Sequence, residues 1–266
     1  MSFLRYPGGK AAFLHFLSSF LPHRDNIKGR YIEPFLGGGS VFLFIRPKRA
    51  IISDLNKELI DIYRGIRDCP NSVWKIYASF PAGRQAYYKI RDEIYQDKPL
   101  CYRAARTLFL NRTCFKGMWR HNLKGKFNVG YGGEDRRWVF SRKNLLELST
   151  ILKKATIYHS DFEVILDRCR DGDFIFLDPP YTPGKKEMLG SHYMNGKFSY
   201  EDQERLAVKL REIKKRYNID WIMTNSGAPE IRDLYNDFQI IKLPIGTSNK
   251  PGIKTKNSGE ILILNS

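Results

Sequence analysis

The chain is poor in acid, poor in cysteine and without any long apolar run. Only 28 aspartates and glutamates face 45 lysines and arginines, leaving a formal net charge of +17 over 266 residues. That imbalance argues against an ordinary metabolic enzyme and for a polyanionic partner, most simply nucleic acid. The four cysteines, Cys69, Cys101, Cys114 and Cys169, lie far apart. They show no metal-ligand spacing, and the five histidines do not complete a site with them. A zinc deaminase is therefore disfavoured, no metal is expected, and reduced thiols in a cytoplasmic setting are the expectation. Apolar stretches fall short of the roughly 20 residues a bilayer requires, so no membrane partner is expected. Arg5 and Lys10 break the apolar character of the amino terminus, which argues against a signal peptide.

What the chain does have is centred on Phe174-Ile175-Phe176-Leu177-Asp178-Pro179-Pro180-Tyr181. Four apolar residues read as a buried strand that stops at an acid, two prolines and a ring. Proline lacks the N–H and restricts its predecessor, so neither strand nor helix continues easily. A carboxylate, carbonyls and a flat ring are thus presented at the carboxyl end of a strand, where open α/β sheets bind ligands. A planar, amino-bearing base suits such a place, with N–H groups accepted by acid and carbonyl and its face covered by the ring. The plainer alternative is an acidic strand end followed by a proline turn.

In chain order, Arg5-Tyr6-Pro7-Gly8-Gly9-Lys10 precedes an apolar-periodic stretch, Ala11 to Leu21, which predicts a short helix. Tyr31-Ile32-Glu33-Pro34-Phe35-Leu36-Gly37-Gly38-Gly39-Ser40-Val41-Phe42 reads as a strand, a glycine turn and a helix beginning near Ser40. Such a turn lets the main chain approach a ligand. Ala50 to Ser53 predicts a second strand ending at Asp54, about 20 residues after the first, where an acid commonly takes ribose hydroxyls. The alternative is that Asp54 caps the helix Lys57 to Arg67. From Asn56 to about Arg112 the pattern is helical, with helices expected near 72–80, 84–95 and 102–110.

The segment 111–138 differs. Arg112, Lys116, Arg120, His121, Lys124, Lys126, Arg136 and Arg137 interleave with Phe115, Trp119, Phe127, Tyr131 and Trp138. Asn122-Leu123-Lys124-Gly125-Lys126 predicts a β-hairpin turn, with Gly125 taking positive φ. Cations would anchor phosphates and Asn122 would reach base edges; a solvated loop packed by its own aromatics is the alternative.

The α/β pattern then resumes with a helix over 141–152 and a short strand from Ala155 to Tyr158. Asp161-Phe162 follows, either an acid and ring for an adenine or a cap and a core residue of the helix 162–168. The segment 182–198 reads as a mobile loop beside the site. A helix over 201–217, a strand over 220–224 and a short helix over 229–235 come next. Strands 238–243 and 260–264 are expected to pair antiparallel at the sheet edge. Between them Lys250, Lys254 and Lys256 mark either a phosphate-facing or a simply solvated loop.

Tyr6-Pro7-Gly8-Gly9-Lys10, Glu33-Pro34-Phe35-Leu36-Gly37-Gly38-Gly39, Asp54-Leu55-Asn56, Asp161-Phe162 and Asp178-Pro179-Pro180-Tyr181 occur in one order over nearly the whole chain. That set resembles the Dam-type DNA adenine-N6 methyltransferases, with the cofactor motif first, the recognition region central and the catalytic motif last. The resemblance implies a Rossmann-like α/β core, a mixed sheet flanked by helices, with a mainly helical recognition domain carrying a β-hairpin. The catalytic domain would be 1–56 with 141–266, and the recognition domain 57–140. It implies S-adenosylmethionine as donor, held by Tyr6, Lys10, Glu33, Pro34, Phe35, Gly37, Gly38, Gly39, Ser40, Asp54, Leu55, Asp161, Phe162 and Asp178. Catalysis would rest on Asp178, Pro179, Pro180 and Tyr181. DNA contacts would come from Arg112, Lys116, Trp119, Arg120, His121, Asn122, Lys124, Lys126, Arg136 and Arg137. Double-stranded DNA is the implied partner, with a cognate restriction endonuclease as a second. Members acting on GATC often follow Phe-Asn-Val with Pro and an aromatic residue, whereas this chain has Phe127-Asn128-Val129-Gly130-Tyr131 and carries His121 where an aromatic or aliphatic residue is common. The resemblance therefore leaves the recognition sequence open.

Four other readings remain at this level. N4-cytosine methylation uses the same amino geometry, although Asp178 rather than serine favours adenine. Structured RNA could replace DNA, a DNA-binding protein could carry an inactive methylase core, and a nicotinamide enzyme would fit the glycine turn and Asp54 alone.

Overall fold

A computed structural model of the chain describes residues 3–6, 8–122, 124–134, 137–181, 198–243, 245–247, 254–256 and 259–265. Pro7, Leu123, Arg136, residues 182–197 of the loop expected over 182–198, and Lys250 lie outside the described residues.

The helices are α1 Leu14–Leu17, α2 Ser40–Ile45, α3 Lys57–Asp68, α4 Pro70–Ser79, α5 Arg84–Asp92, α6 Leu100–Thr113, α7 Arg142–Leu152, α8 Phe162–Leu166, α9 Tyr200–Arg216 and α10 Pro229–Leu234. The strands are β1 Tyr31–Glu33, β2 Ala50–Asp54, β3 Ala155–His159, β4 Phe174–Leu177, β5 Asp220–Ser226, β6 Gln239–Lys242, β7 Ile245–Thr247, β8 Lys254–Lys256 and β9 Glu260–Leu264. Seven strands form one sheet in the order β3-β2-β1-β4-β5-β9-β6. Neighbours from β3 through β5 are parallel, and β9 runs antiparallel to both β5 and β6. β9 is thus an interior strand. The expectation of two edge strands holds only for β6, because the unbroken apolar run of β9 has both faces to bury. β7 and β8 form a separate ribbon.

The sequence of β4 explains its central place. Phe174 and Phe176 enter one core, while Ile175 and Leu177 enter the other. A strand covered on both faces has no polar side to show, so it reads as a continuous apolar run. The first core joins the sheet to α3, α4, α6 and α7 and continues to Trp119, Phe127 and Val129 of the basic segment. The second lies under α8 and α9. α3 packs on β2, β3 and α7 as well as on α6, and so connects the sheet to the central helices.

Helix starts follow local chemistry. Asn56 accepts from the Leu59 N–H at 3.2 Å and caps α3; Asp54 is free of that duty. Ser141 and Ser199 form reciprocal capping boxes at α7 and α9. The helix expected over 11–21 is shorter, a 3₁₀ turn at Lys10–Ala12 followed by α1.

Candidate active site

Three motifs meet at the carboxyl rim of the parallel strands. Asp178 follows β4, Glu33 ends β1 and Asp54 ends β2. The amino-terminal segment is drawn over this rim by α6: the Arg5 N–H donates to Asn111 Oδ1 at 2.9 Å, and Asn111 Nδ2 donates to the Arg5 carbonyl at 2.6 Å. That clamp delivers Tyr6 and Lys10. A Cβ on Gly37 or Gly38 would come within 3.3 Å of Tyr6, so the ring lies directly on the glycine turn. Its other side meets Trp119, with centroids 5.5 Å apart.

Lys10 reaches the catalytic-type tetrapeptide. Its Nζ lies 2.8 Å from Asp178 Oδ1, 3.2 Å from the Gly8 carbonyl and 4.9 Å from the centroid of the Tyr181 ring. Thr224, near the end of β5, donates to the same Asp178 oxygen at 2.7 Å, and Tyr181 donates to Glu260 at 3.0 Å. Burial pushes the Asp178 carboxyl above its ordinary value, against the pull of Lys10 and Thr224. Burial pulls Lys10 down, but Asp178, Tyr181 and Glu260 together hold its ammonium above the ordinary lysine value. Asp178 keeps a solvent-facing side, its side chain 20% exposed against 4% for Lys10. The carboxylate is therefore anchored on one oxygen, in reach of a ligand donor. Pro179 is buried behind it and Pro180 is exposed. Thr224 and Glu260 were not singled out in the sequence. Only the neighbouring of β5 with β4 and β9 brings them to Asp178 and Tyr181, although their places at strand ends beside this rim were a signal.

The glycine turn is built tightly. Gly37 and Gly39 take φ of 48° and 63°. Tyr63 Oη of α3 donates to the Gly37 carbonyl at 2.9 Å, and Asp54 Oδ2 accepts from the Gly37 N–H at 2.8 Å. Asp54 Oδ1 accepts from the Asn56 N–H at 2.9 Å. These bonds leave lone pairs on Asp54 for further donors. Burial pushes the Asp54 carboxyl up, opposed by those same N–H groups. Exposed Leu55 lies beside it. Ser53 Oγ donates to the Pro34 carbonyl at 3.1 Å. Glu33 is buried, accepts from Tyr31 Oη at 2.7 Å, and is pushed well above the usual carboxyl range by burial. Ser40 opens α2. An Asp54→Ala change is expected to cost about 1–3 kcal/mol of stability, since two N–H groups lose their acceptor; denaturant unfolding measures it.

Asp161 and Phe162 take the plainer roles. Asp161 Oδ1 accepts from the Glu163 N–H at 2.9 Å and from Arg205 at 3.1 Å, capping α8. The Phe162 ring is 2% exposed, packed against Phe35 and Phe198 with centroids at 5.4 and 5.9 Å. It is a core side chain rather than an open stacking face. Phe35 belongs to the same aromatic group.

The basic segment forms the expected hairpin. His121 and Phe127 pair antiparallel, the Asn122 N–H donates to the Lys126 carbonyl at 2.9 Å, and Gly125 takes φ 70°. Asn122 Oδ1 accepts from the N–H groups of Lys124 and Lys126, both at 3.0 Å, so it builds the turn itself. Arg120 Nε donates to Asn128 Oδ1 at 2.9 Å across the hairpin. Lys116, Asn122, Lys124 and Lys126 are exposed. Four expected DNA contacts are instead interior. Arg112 is buried beside the Phe140 ring. Arg137 is buried, donates to the Phe80 carbonyl and lies over the Phe109 and Trp138 rings. Trp119 is buried between Tyr6 and Phe127. His121 is bonded to Glu58 at 2.9 Å with its side chain 3% exposed. Rings, a carbonyl and a carboxylate inside the protein hold these side chains, and a charge run does not say whether a cation turns inward or outward. Arg136 lies outside the described residues.

Residues 6–244 match the family model of the D12 class N6 adenine-specific DNA methyltransferases. The chain belongs to that family. Curated relatives include a type II methyltransferase of Lactococcus lactis subsp. cremoris, M1.LlaDCHI, 31% identical over 97% of this chain and 92% of that one. Another is the type II methyltransferase M.MjaIII of Methanocaldococcus jannaschii, 33% identical over 99% and 98%. The DNA adenine methylase of Escherichia coli is 26% identical over 96% and 92%. The molecule is an adenine-specific DNA methyltransferase on a Rossmann-like core, and its substrate is DNA; the cytosine reading is not favoured. Among the described residues no group of side chains could hold a metal, and no helix is long and apolar enough to cross a membrane.

Proposed function

We propose that this DNA methyltransferase moves a methyl group from S-adenosylmethionine to N6 of an adenine swung out of double-stranded DNA, with Asp178, Pro179, Pro180 and Tyr181 as the reacting-base site. The observation that carries this reading is Asp178 at the carboxyl rim, fixed by Lys10 and Thr224 beside the Tyr181 ring.

A stacked base cannot present its amino group, and extrusion costs a few kcal/mol. Tyr181, held by Glu260, covers one face of the extruded ring. Asp178 and the Pro179 carbonyl accept the two amino hydrogens, which turns the nitrogen lone pair out of the ring plane. The gain is mainly orientation, with the carboxylate stabilising positive charge as it grows on nitrogen. Lys10 and Thr224 favour the ionised form of Asp178, against the effect of burial. When bound, S-adenosylmethionine supplies an electrophilic methyl on a sulfonium. The residue set fits such a donor: Asp54 has lone pairs left for ribose hydroxyls, Leu55 gives an apolar surface beside it, and the turn Gly37 to Gly39 keeps main chain bare. Tyr6, Lys10, Glu33, Pro34, Phe35 and Ser40 would frame the same seat, beside the start of α8 that Asp161 caps over the packed Phe162 ring.

Recognition falls to the unit within 57–140, with 1–56 and 141–266 catalytic and α3 shared between them. Lys116, Lys124 and Lys126 would meet phosphates, and the hairpin tip would enter a groove. Lys124→Ala with Lys126→Ala is expected to weaken binding to all duplexes alike and lower the salt slope by about 2. A changed site preference with an unchanged slope would reassign the hairpin. A cognate restriction endonuclease is the second proposed partner, with cytoplasmic action on the host's DNA.

Methylation-aware sequencing of DNA from a host expressing the chain tests the whole reading. N6-methyladenine at one short sequence is expected; unmodified DNA, or methylcytosine, would overturn it. The ionised form of Asp178 is the acceptor, and burial raises its pKa. kcat/KM is therefore expected to fall as pH drops through a value above the ordinary aspartate range, and Asp178→Asn should lack that limb.

A further inference from the structure

The amino ends of the parallel strands carry a second concentration of charge, on the far side of the sheet from Asp178. Arg30 precedes β1, Arg49 precedes β2 and Lys154 precedes β3, with Arg170 a few residues before β4. Because β1 through β4 are parallel, these cations reach one rim together. They line an open cavity of about 350 Å³ whose walls also include Thr156, Tyr158 and Arg168. The Arg168 guanidinium sits 4.7 Å from the Tyr158 ring centroid.

The charges are largely uncompensated. Arg30 is neutralised by Asp173 at 2.6 Å. Among the described residues, no carboxylate pairs with Arg49, Lys154, Arg168 or Arg170, all of them exposed, and no acidic residue lines the cavity. Four like charges around one concavity repel each other and are relieved by an anion. Guanidinium forks and a hydroxyl match phosphate oxygens.

We propose that this cavity is a second nucleic-acid site, which takes the phosphodiester backbone of a DNA segment other than the one being methylated. The sheet separates the two rims by the length of a strand, about 15 Å for five residues. A straight duplex lying on the catalytic rim does not turn that corner, because DNA is stiff over such a length and bending it costs free energy. A separate segment reaches the cavity without that cost. This proposal rests on the chain acting on DNA but not on the roles given to Asp178 or the hairpin.

The test uses the full chain and the triple variant R49Q/K154Q/R170Q, whose altered side chains are exposed and remote from the site described above. Enzyme held on an immobilised duplex is offered a second, labelled duplex at low salt, with and without pyrophosphate. Wild type is expected to capture the second duplex, and the triple variant to lose at least about tenfold of that capture. Salt dependence of total DNA binding should flatten by about 2–3 in slope, near 0.9 per lost phosphate contact. Methylation of a short single-site duplex should be unchanged, which keeps failure here distinct from failure of the catalytic reading. Equal capture by both proteins would overturn the proposal. So would a wild type that captures no duplex while pyrophosphate protects its arginines from modification, which would mark a small-anion site.

Discussion

Replacing Asp178 by alanine is expected to lower methyl transfer by at least about 10³-fold, through lost orientation and lost charge stabilisation together. DNA binding should change little, because the exposed hairpin lysines are untouched. The variant has a second consequence. Lys10, its side chain only 4% exposed, loses the carboxylate 2.8 Å away. Breaking a buried pair by removing one partner costs about 3–5 kcal/mol, and the solvent-facing side of Asp178 points to the lower end. The double variant D178A/K10M should recover that stability, because no uncompensated ammonium remains, and should stay inactive. Thermal unfolding and a labelled-methyl assay on the same samples separate the two effects. A fully active alanine variant would sink the mechanism. If D178A is inactive but the double variant regains activity, Lys10 had been blocking the site, and Asp178 had served only to hold it.

The second large effect is expected at Gly39. Its φ of 63° is left-handed, and a Cβ there would come within 2.7 Å of Tyr63 Oη, the group that bonds the Gly37 carbonyl. Gly39→Ala thus costs about 1–2 kcal/mol of backbone strain and about 1 kcal/mol for the displaced hydrogen bond. Both fall on the turn assigned to the methyl donor, so S-adenosylmethionine affinity should drop on the order of 30-fold or more. Calorimetric titration reads it directly. Gly83→Ala is the control: φ there is 96°, nothing lies within 4 Å of the added Cβ, and the residue sits at the start of α5. It should lose stability by a similar strain and keep donor affinity. Equal affinity in Gly39→Ala and wild type would move the donor away from this turn.

Much of the core was legible in the sequence because its signals are local. Phe174 to Leu177 is apolar on both faces and ends in two prolines, so a buried parallel strand and its stop are written in consecutive residues. Gly37 to Gly39 between a strand and a helix, and Asp54 at the end of the next strand, are equally local. The hairpin at Asn122 to Lys126 was readable from Gly125 for the same reason, while the role of Asn122 was not. Its side-chain oxygen closes the turn, and the same residue type serves turns and base edges alike.

The sequence by itself determined the family, the α/β order of elements and the rim on which chemistry occurs, because those follow from backbone rules acting over a few residues. Only the tertiary structure decided which charged residues are available. Arg112, Arg137 and His121 are as polar as Lys124, yet rings, a carbonyl and Glu58 draw them inside. It also brought Thr224 to Asp178, Glu260 to Tyr181 and the far-rim cations to one cavity. Those pairings join residues up to 79 positions apart or lying before separate strands, and only the order of strands in the sheet brings them together.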